Sequence, residues 1–133
     1  MSLRDVIKKY LLSEESVIEV GENEINDAKE FLELDEIRVG TRVILVGKNG
    51  RKRLVDLGIL QIIAKCGHIE FIKDYLDLSI PLGDIHGKYG VYTEIEYLAL
   101  NEKCYTEDED LVAVLKKLKE YILKREKAST IRY

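Results

Sequence analysis

Four cationic side chains surround the short segment that joins two runs of β-forming residues: Lys48, Arg51, Lys52 and Arg53. Lys and Arg bind phosphate oxygens through charge-assisted hydrogen bonds, and a β-ribbon that carries them can lie along a nucleic-acid backbone. These four residues are therefore the candidate nucleic-acid-binding site. An ordinary solvated turn is the alternative interpretation, and a net charge of −4 argues against a protein that coats DNA generally.

No group of residues typical of an enzyme stands out elsewhere. The sequence contains no GxSxG, Walker or GxGxxG motif, and neither His68 nor His86 lies in a stretch that indicates a general base. Cys66 and Cys104 form no CxxC pair, and no Cys/His cluster has metal-ligand spacing. We therefore expect free thiols, no metal site and no cofactor. An enzyme with an acidic site assembled by the fold remains a third hypothesis.

Composition indicates a globular protein within the cell. The 133 residues suit one domain spanning 1–133, with 46% hydrophobic and 35% charged residues. No apolar run approaches the roughly 20 residues that cross a bilayer, and the first residues do not resemble a signal peptide. We therefore expect a cytoplasmic protein without membrane contact. One Met, one Pro and no Trp, beside many Lys and Glu residues, are typical of a thermophile-like composition.

Local patterns in the first part of the chain predict a helix, a strand and a second helix. Ser2 and Asp5 are spaced to cap the first helix. The apolar stripe of this helix comprises Leu3, Ile7, Tyr10 and Leu11. A strand at 16–20 follows, and Asn23 is the expected cap of the second helix, whose stripe comprises Ile25, Ala28, Phe31 and Leu32.

The strongest hairpin signal lies between Arg42 and Leu57. Asn49-Gly50 is the dipeptide preferred in a type I′ turn, where both central residues have φ > 0. Two helices are predicted next, on either side of Gly67, followed by a glycine-rich loop over 83–90. Alternating residues over 91–100 predict another strand. The sum is an α+β fold with four to five helices and a small, largely antiparallel sheet.

The last helix is the clearest element of the sequence. Thr106 and Glu109 have the spacing of a capping box. One face carries the apolar residues Leu111, Val114, Leu115, Leu118, Tyr121 and Ile122. This stripe can pack on the core of its own chain or in a homodimer, and both possibilities stay open.

Gly83-Asp84-Ile85-His86-Gly87 resembles the first metal-binding motif of the calcineurin-like metallophosphatases. In that family, Asp and His of the motif bind a metal together with further Asp, Asn and His ligands downstream. No histidine follows His86 in this sequence. We therefore expect a glycine-rich turn with a solvated aspartate rather than a phosphatase site.

A longer segment, from Ala64 to Lys73, resembles the helix-turn-helix centre of an ankyrin repeat, with Gly67-His68 at the turn. Residues 84–93 resemble the finger that leads into the next repeat, and Ala99 stands thirty-five positions after Ala64, near the family period of about 33. Glu94 to Glu96 depart from the usual Thr-Pro-Leu-His start. The resemblance covers roughly residues 58–115 and implies a short ankyrin-like helical solenoid as the alternative fold.

Since no catalytic constellation is visible, the sequence favours a small non-catalytic protein-interaction or regulatory domain. The expected partner is another protein or a second copy of the chain, with the terminal helix as a possible homodimer contact. A nucleic-acid-binding protein that uses the basic hairpin is the alternative function.

Overall fold

The computed structural model describes residues 2–25, 27–100 and 109–131. These residues form an α+β fold with six helices of seven or more residues, one four-residue helix and a three-stranded sheet. The strands are β1 (Ile18–Gly21), β2 (Arg42–Val46) and β3 (Lys52–Asp56). The helices are α1 (Leu3–Leu12), α2 (Glu30–Glu33), α3 (Leu57–Lys65), α4 (Ile69–Leu76), α5 (Leu82–Tyr89), α6 (Glu94–Leu100) and α7 (Glu109–Ile131). The predicted fold class is confirmed, with a helix count slightly above the expectation.

Helix α1 begins at the predicted capping box. The Ser2 amide donates to Asp5 Oδ2 at 3.0 Å, and the Asp5 amide donates to Ser2 Oγ at 3.4 Å. The helix faces the core through Leu3, Val6, Ile7 and Tyr10. Leu11, the last member of the predicted stripe, is 74% exposed, so the buried face of the helix ends before it.

Strand β2 lies at the centre of the sheet, which has the order β1-β2-β3. Its pairing with β3 is antiparallel and aligns Val43 with Val55, as the hairpin signal predicts. Its pairing with β1 is parallel and aligns Ile18 with Val43. The sheet is therefore mixed rather than largely antiparallel.

The hairpin turn differs from the predicted type I′. Gly50 has φ +74°, but no described residue other than glycine has a positive φ, so Asn49 does not meet the type I′ requirement. The Gly50 amide donates to the Gly47 carbonyl at 3.1 Å, and the Gly47 amide donates to the Arg51 carbonyl at 2.8 Å. These bonds match a longer hairpin loop in which a left-handed glycine follows the turn.

Helices α3 and α4 agree with their predictions and meet at Gly67-His68. Helix α3 is buried along nearly its whole length, and α4 buries Phe71 and Ile72. The segment that resembles the centre of an ankyrin repeat thus spans the end of α3, this junction and the start of α4. Helix α5, however, lies where the resemblance implies the finger.

Two predicted segments are wrong because a helix forms in each. Residues 82–89 form α5 instead of a glycine-rich loop, and residues 94–100 form α6 instead of a strand. Thr93 starts α6: its Oγ1 accepts from the Glu96 amide at 3.3 Å, and its carbonyl accepts from the Tyr97 amide at 2.7 Å. Glu94 and Leu98, four positions apart, are both buried, which is the spacing of one helical face.

The second predicted helix is divided. A 3-10 turn covers Glu22–Glu24, and α2 has only four residues. The predicted stripe is buried at Ile25, Ala28 and Phe31, whereas Leu32 is exposed. The apolar pattern therefore predicted burial better than it predicted the helix.

Helix α7 confirms the terminal helix within the described residues. Leu111 is buried and Leu115 packs partly against the core, whereas Tyr121 is exposed. Thr106 and the side chains of Val114 and Ile122 lie outside the description. The first turns of α7 thus pack within the chain, and a homodimer contact through the later turns remains a prediction.

Cys66 takes part in a disulfide bond, so the expectation of a free thiol is wrong for this residue. Cys104 lies outside the described residues. Within the described ranges, no helix combines the length and the apolar content that a membrane crossing requires.

Candidate functional site

The structure exposes three of the four cations of the predicted nucleic-acid site and buries the fourth. Lys48 and Lys52 are exposed, and Lys52 Nζ forms a 2.8 Å ion pair with Glu19 on β1. Arg51 donates to the Leu78 carbonyl at 3.2 Å. Arg53 is buried. Lys48, Arg51 and Lys52 are therefore exposed on the hairpin, whereas Arg53 is buried; both arginines donate to backbone carbonyls at or after the end of α4.

Arg53 attaches β3 to the end of α4. Its guanidinium donates to the carbonyls of Tyr75, Asp77 and Ile80, the last at 2.9 Å. Its central carbon lies 5.4 Å from the centre of the Tyr75 ring, within the range of a cation–π contact. Desolvation lowers the pKa of Arg53, although the carbonyls at a helix C-terminus favour a cation. These contacts give Arg53 a structural role.

A buried carboxyl lies beside this arginine. Glu94, at the start of α6, is 8% exposed and lies beside the Tyr75 side chain and the Asp56 backbone amide. The Tyr75 hydroxyl itself donates to the Leu54 carbonyl at 3.4 Å. Desolvation raises the pKa of Glu94 to about 7, against the opposing effects of Tyr75, the Asp56 amide and Arg53. Its Oε2 has no hydrogen-bond partner among the described residues. A protonated side chain is the form that suits this environment near pH 6.

Glu94 joins three elements, because Asp56 ends β3 and Tyr75 belongs to α4. The cluster is enclosed by protein and contacts neither of the two surface cavities described below. We therefore interpret the cluster as a structural polar contact between these elements. Sequence analysis missed it because residues 91–100 were predicted to form a strand.

A groove between α1 and residues 34–41 has a volume of about 450 Å³. Its apolar lining comprises Ile7, Leu11, Leu34 and Ile37. Three of these side chains are half-buried against the core, whereas Leu11 extends into solvent. Such a lining is typical of sites that receive an apolar side chain of a partner.

Gln61 on α3 fixes the wall of this groove opposite α1. Its Oε1 accepts from the Ile37 amide at 2.6 Å. Its Nε2 donates to the carbonyls of Phe31, Leu34 and Asp35 at 3.1, 3.3 and 3.0 Å. The side-chain amide of Gln61 thus binds four backbone groups of residues 31–37, a segment that pairs with no strand. Sequence analysis did not identify Gln61, although a polar residue within the apolar run of α3 is a signal that could have found it.

Asp56 and Gly58 hold the other end of the same wall. Asp56 Oδ2 accepts from the Gly40 amide at 2.9 Å, while its Oδ1 accepts from the Gly58 and Ile59 amides and so caps α3. A Cβ on Gly58 would lie 2.5 Å from the Arg38 carbonyl oxygen, so only glycine permits this close approach. Both ends of the wall are therefore fixed by α3, and the groove is a formed surface.

Charges of both signs surround the groove. The cations are Arg4, Lys8 and Arg38, and the anions are Asp35 and Glu36. None of these five side chains takes part in an ion pair described for this part of the chain. Leu12, next to Leu11 at the end of α1, is 86% exposed. The groove thus combines an apolar floor, available charges and exposed leucines.

The second cavity, of about 380 Å³, is more polar and lies between the 3-10 turn and the end of α4. Its polar lining includes Glu22, Asn23, Lys73 and Asp77. Within residues 2–25, 27–100 and 109–131, no three His, Cys, Asp or Glu side chains are grouped so that they could hold a metal ion. This cavity offers no arrangement that indicates a particular reaction.

Comparison with known proteins gives no relative: no protein-family model, no curated protein and no solved structure matches the chain.

Proposed function

We propose that this protein is a protein-interaction module that binds its partner through the groove between α1 and residues 34–41. The observation that supports the proposal is the exposed Leu11 beside a formed apolar floor of Ile7, Leu34 and Ile37. Fully burying one leucine contributes roughly 1.5–3 kcal/mol, so a partner that covers Leu11 gains free energy without reordering the wall.

The arrangement favours a partner segment with an apolar face and charged flanks. Apolar contacts on the floor supply binding energy, whereas the rim charges select the partner and its orientation. The wall is held by Gln61 and Asp56 before any partner arrives. Preorganisation of this kind lowers the ordering entropy that binding must overcome.

Site-specific photo-crosslinking tests the proposal. A photoreactive residue at position 11 should crosslink a partner in extract of the source cells, and one at Val91 should not. Val91 is a matched control because it is 71% exposed and lies outside the groove lining. Excess purified wild-type protein should compete for the crosslink, whereas Leu11→Asp should not.

The crosslinked partner is then identified by mass spectrometry, purified and titrated directly against wild type, Leu11→Asp and Val91→Asp. Loss of binding in Leu11→Asp alone supports the groove. Equal crosslinking from positions 11 and 91, or no crosslink from position 11, would contradict the proposed function.

A further inference from the structure

The residues of α1 that line the groove follow one helical stripe. Arg4, Ile7, Lys8 and Leu11 have the i, i+3, i+4, i+7 spacing of a helix face that packs against another helix. Within the chain this stripe borders an extended wall rather than a helix. Leu11 and Leu12 extend beyond the groove, since they are 74% and 86% exposed. The same surface therefore contains both an apolar groove and exposed leucines that could occupy such a groove in another molecule.

The charges around the groove make this surface complementary to a second copy of the same surface. Arg4 and Lys8 lie on α1, while the opposite wall carries two acids, Asp35 and Glu36, against one cation, Arg38. A two-fold axis places a surface patch opposite its own copy, so residue i contacts residue j and j contacts i. With α1 of each copy facing the groove of the other, the cations of one copy meet the anions of the second. These charges have no ion pair described within the chain that they would first have to break.

We infer that the occupant of this groove is a second copy of the chain, bound about a two-fold axis with α1 of each copy seated along the groove of the other. Leu11 of each copy covers the apolar floor of the other copy. The inference rests on the proposed function, because it names the partner of the same groove. It differs from the terminal-helix homodimer, in which α7 rather than α1 forms the contact.

Analytical ultracentrifugation of the purified full chain over a dilution series tests the inference. Wild type should show a monomer–dimer equilibrium. Leu11→Asp should raise the dissociation constant on the order of a hundredfold, because each dimer contains the substitution twice. Val91→Asp, equally exposed but outside the groove, should behave as wild type. Circular-dichroism melts confirm that each variant folds.

Two charge-reversal variants provide the sharper measurement. One carries Arg4→Glu with Lys8→Glu, and the other carries Asp35→Lys with Glu36→Lys. Each variant alone should fail to dimerise, because its rim then meets like charges. An equimolar mixture of the two should restore the dimer, since opposite charges then face each other across the axis. The restored dimer should weaken as salt is added.

Several outcomes overturn the inference. A wild-type protein that remains monomeric at the highest concentration excludes the second copy, as does a dimer that the groove variants leave intact and Leu118→Asp dissociates. If position 11 nevertheless crosslinks a different protein, the proposed function stands and only its partner changes. If position 11 crosslinks nothing, both proposals fail.

Discussion

The side-chain oxygen of Gln61 lies 2.6 Å from the backbone nitrogen of Ile37, a hydrogen bond between the middle of α3 and the wall of the groove. This contact is part of a network that also satisfies three carbonyls of residues 31–35. The surface proposed to bind a partner is therefore positioned by a residue that the partner does not touch.

Gln61→Met should lower the free energy of unfolding by roughly 2–4 kcal/mol, because it keeps the side-chain length but leaves buried backbone groups unsatisfied. Urea titration followed by circular dichroism measures the loss. Glu33→Met, an exposed position on α2, is the control and should change stability by less than about 0.5 kcal/mol. Similar stability of the two variants would show that the network does not hold the wall.

Arg53→Met should destabilise the protein by roughly 3 kcal/mol, because three carbonyls around the end of α4 lose a charged donor. Lys52→Met, its neighbour on β3, should cost less than about 1 kcal/mol, since its ion pair with Glu19 is exposed. Thermal melts of both variants measure the difference.

The same pair of variants tests the basic hairpin as a nucleic-acid site. In DNA and RNA shift assays at low salt, wild type and the Arg53→Met variant should give the same result, because Arg53 is buried. A stable Arg53→Met variant that loses nucleic-acid binding would support the hairpin site instead.

Glu94 should make stability depend on pH. Its pKa is about 7 in the folded protein against 4.5 as the ordinary value, so between these values the folded protein retains a proton that the unfolded chain releases. The free energy of unfolding therefore falls as pH rises from 4.5 to about 7, by roughly 3 kcal/mol, and is not lowered further by this group above that range.

Denaturant titrations at several pH values, with wild type and Glu94→Gln, measure this effect. The variant should lack the decrease, so the difference between the two proteins should change only in that window. Glu96→Gln, two positions along α6, is the control and should follow wild type. A difference between wild type and Glu94→Gln that is independent of pH would show that folding does not raise the pKa of Glu94.

Two glycine substitutions should have opposite signs. Gly50→Ala should destabilise by roughly 1–2 kcal/mol, because a side chain at φ +74° is strained. Gly87→Ala should stabilise by roughly 0.5–1 kcal/mol, because Gly87 lies within α5 and an added Cβ meets nothing within 4 Å. Melting temperatures of the two variants check both signs. A stabilising Gly50→Ala would contradict the left-handed turn.

Short-range signals predicted the elements whose stability is local. The capping box of Ser2 and Asp5, the hairpin dipeptide and the long apolar run of α3 each involve neighbours in sequence, and the structure contains all three elements. Residues 94–100 were assigned to a strand because alternating and helical spacing coincide over so short a segment. Burial of Glu94, an acid, gave no apolar signal to decide between them.

The groove could not be predicted for a different reason. Leu11 lies four positions after Ile7 on the predicted apolar stripe of α1, so its spacing does not distinguish it from the buried members, yet it is 74% exposed. Arg53 is the opposite case: a cation beside a turn normally remains solvated, yet this one is buried. Burial of a side chain depends on packing against elements that are distant in the sequence. The periodicity of a single helix or strand does not predict that packing.

The parallel pairing of β1 with β2 has a consequence for the order of assembly. Val46 meets Lys52 across a short loop, whereas Ile18 meets Val43 only after a long connection has closed. Closing the longer loop loses more chain entropy, so the β2–β3 ribbon can form first and β1 joins it later with α1 attached. Hydrogen exchange should then be faster in α1 and β1 than in α3. The proposed binding surface would then belong to the last segment to fold. A partner bound in the groove would slow the local unfolding of α1 and β1 more than that of the other elements.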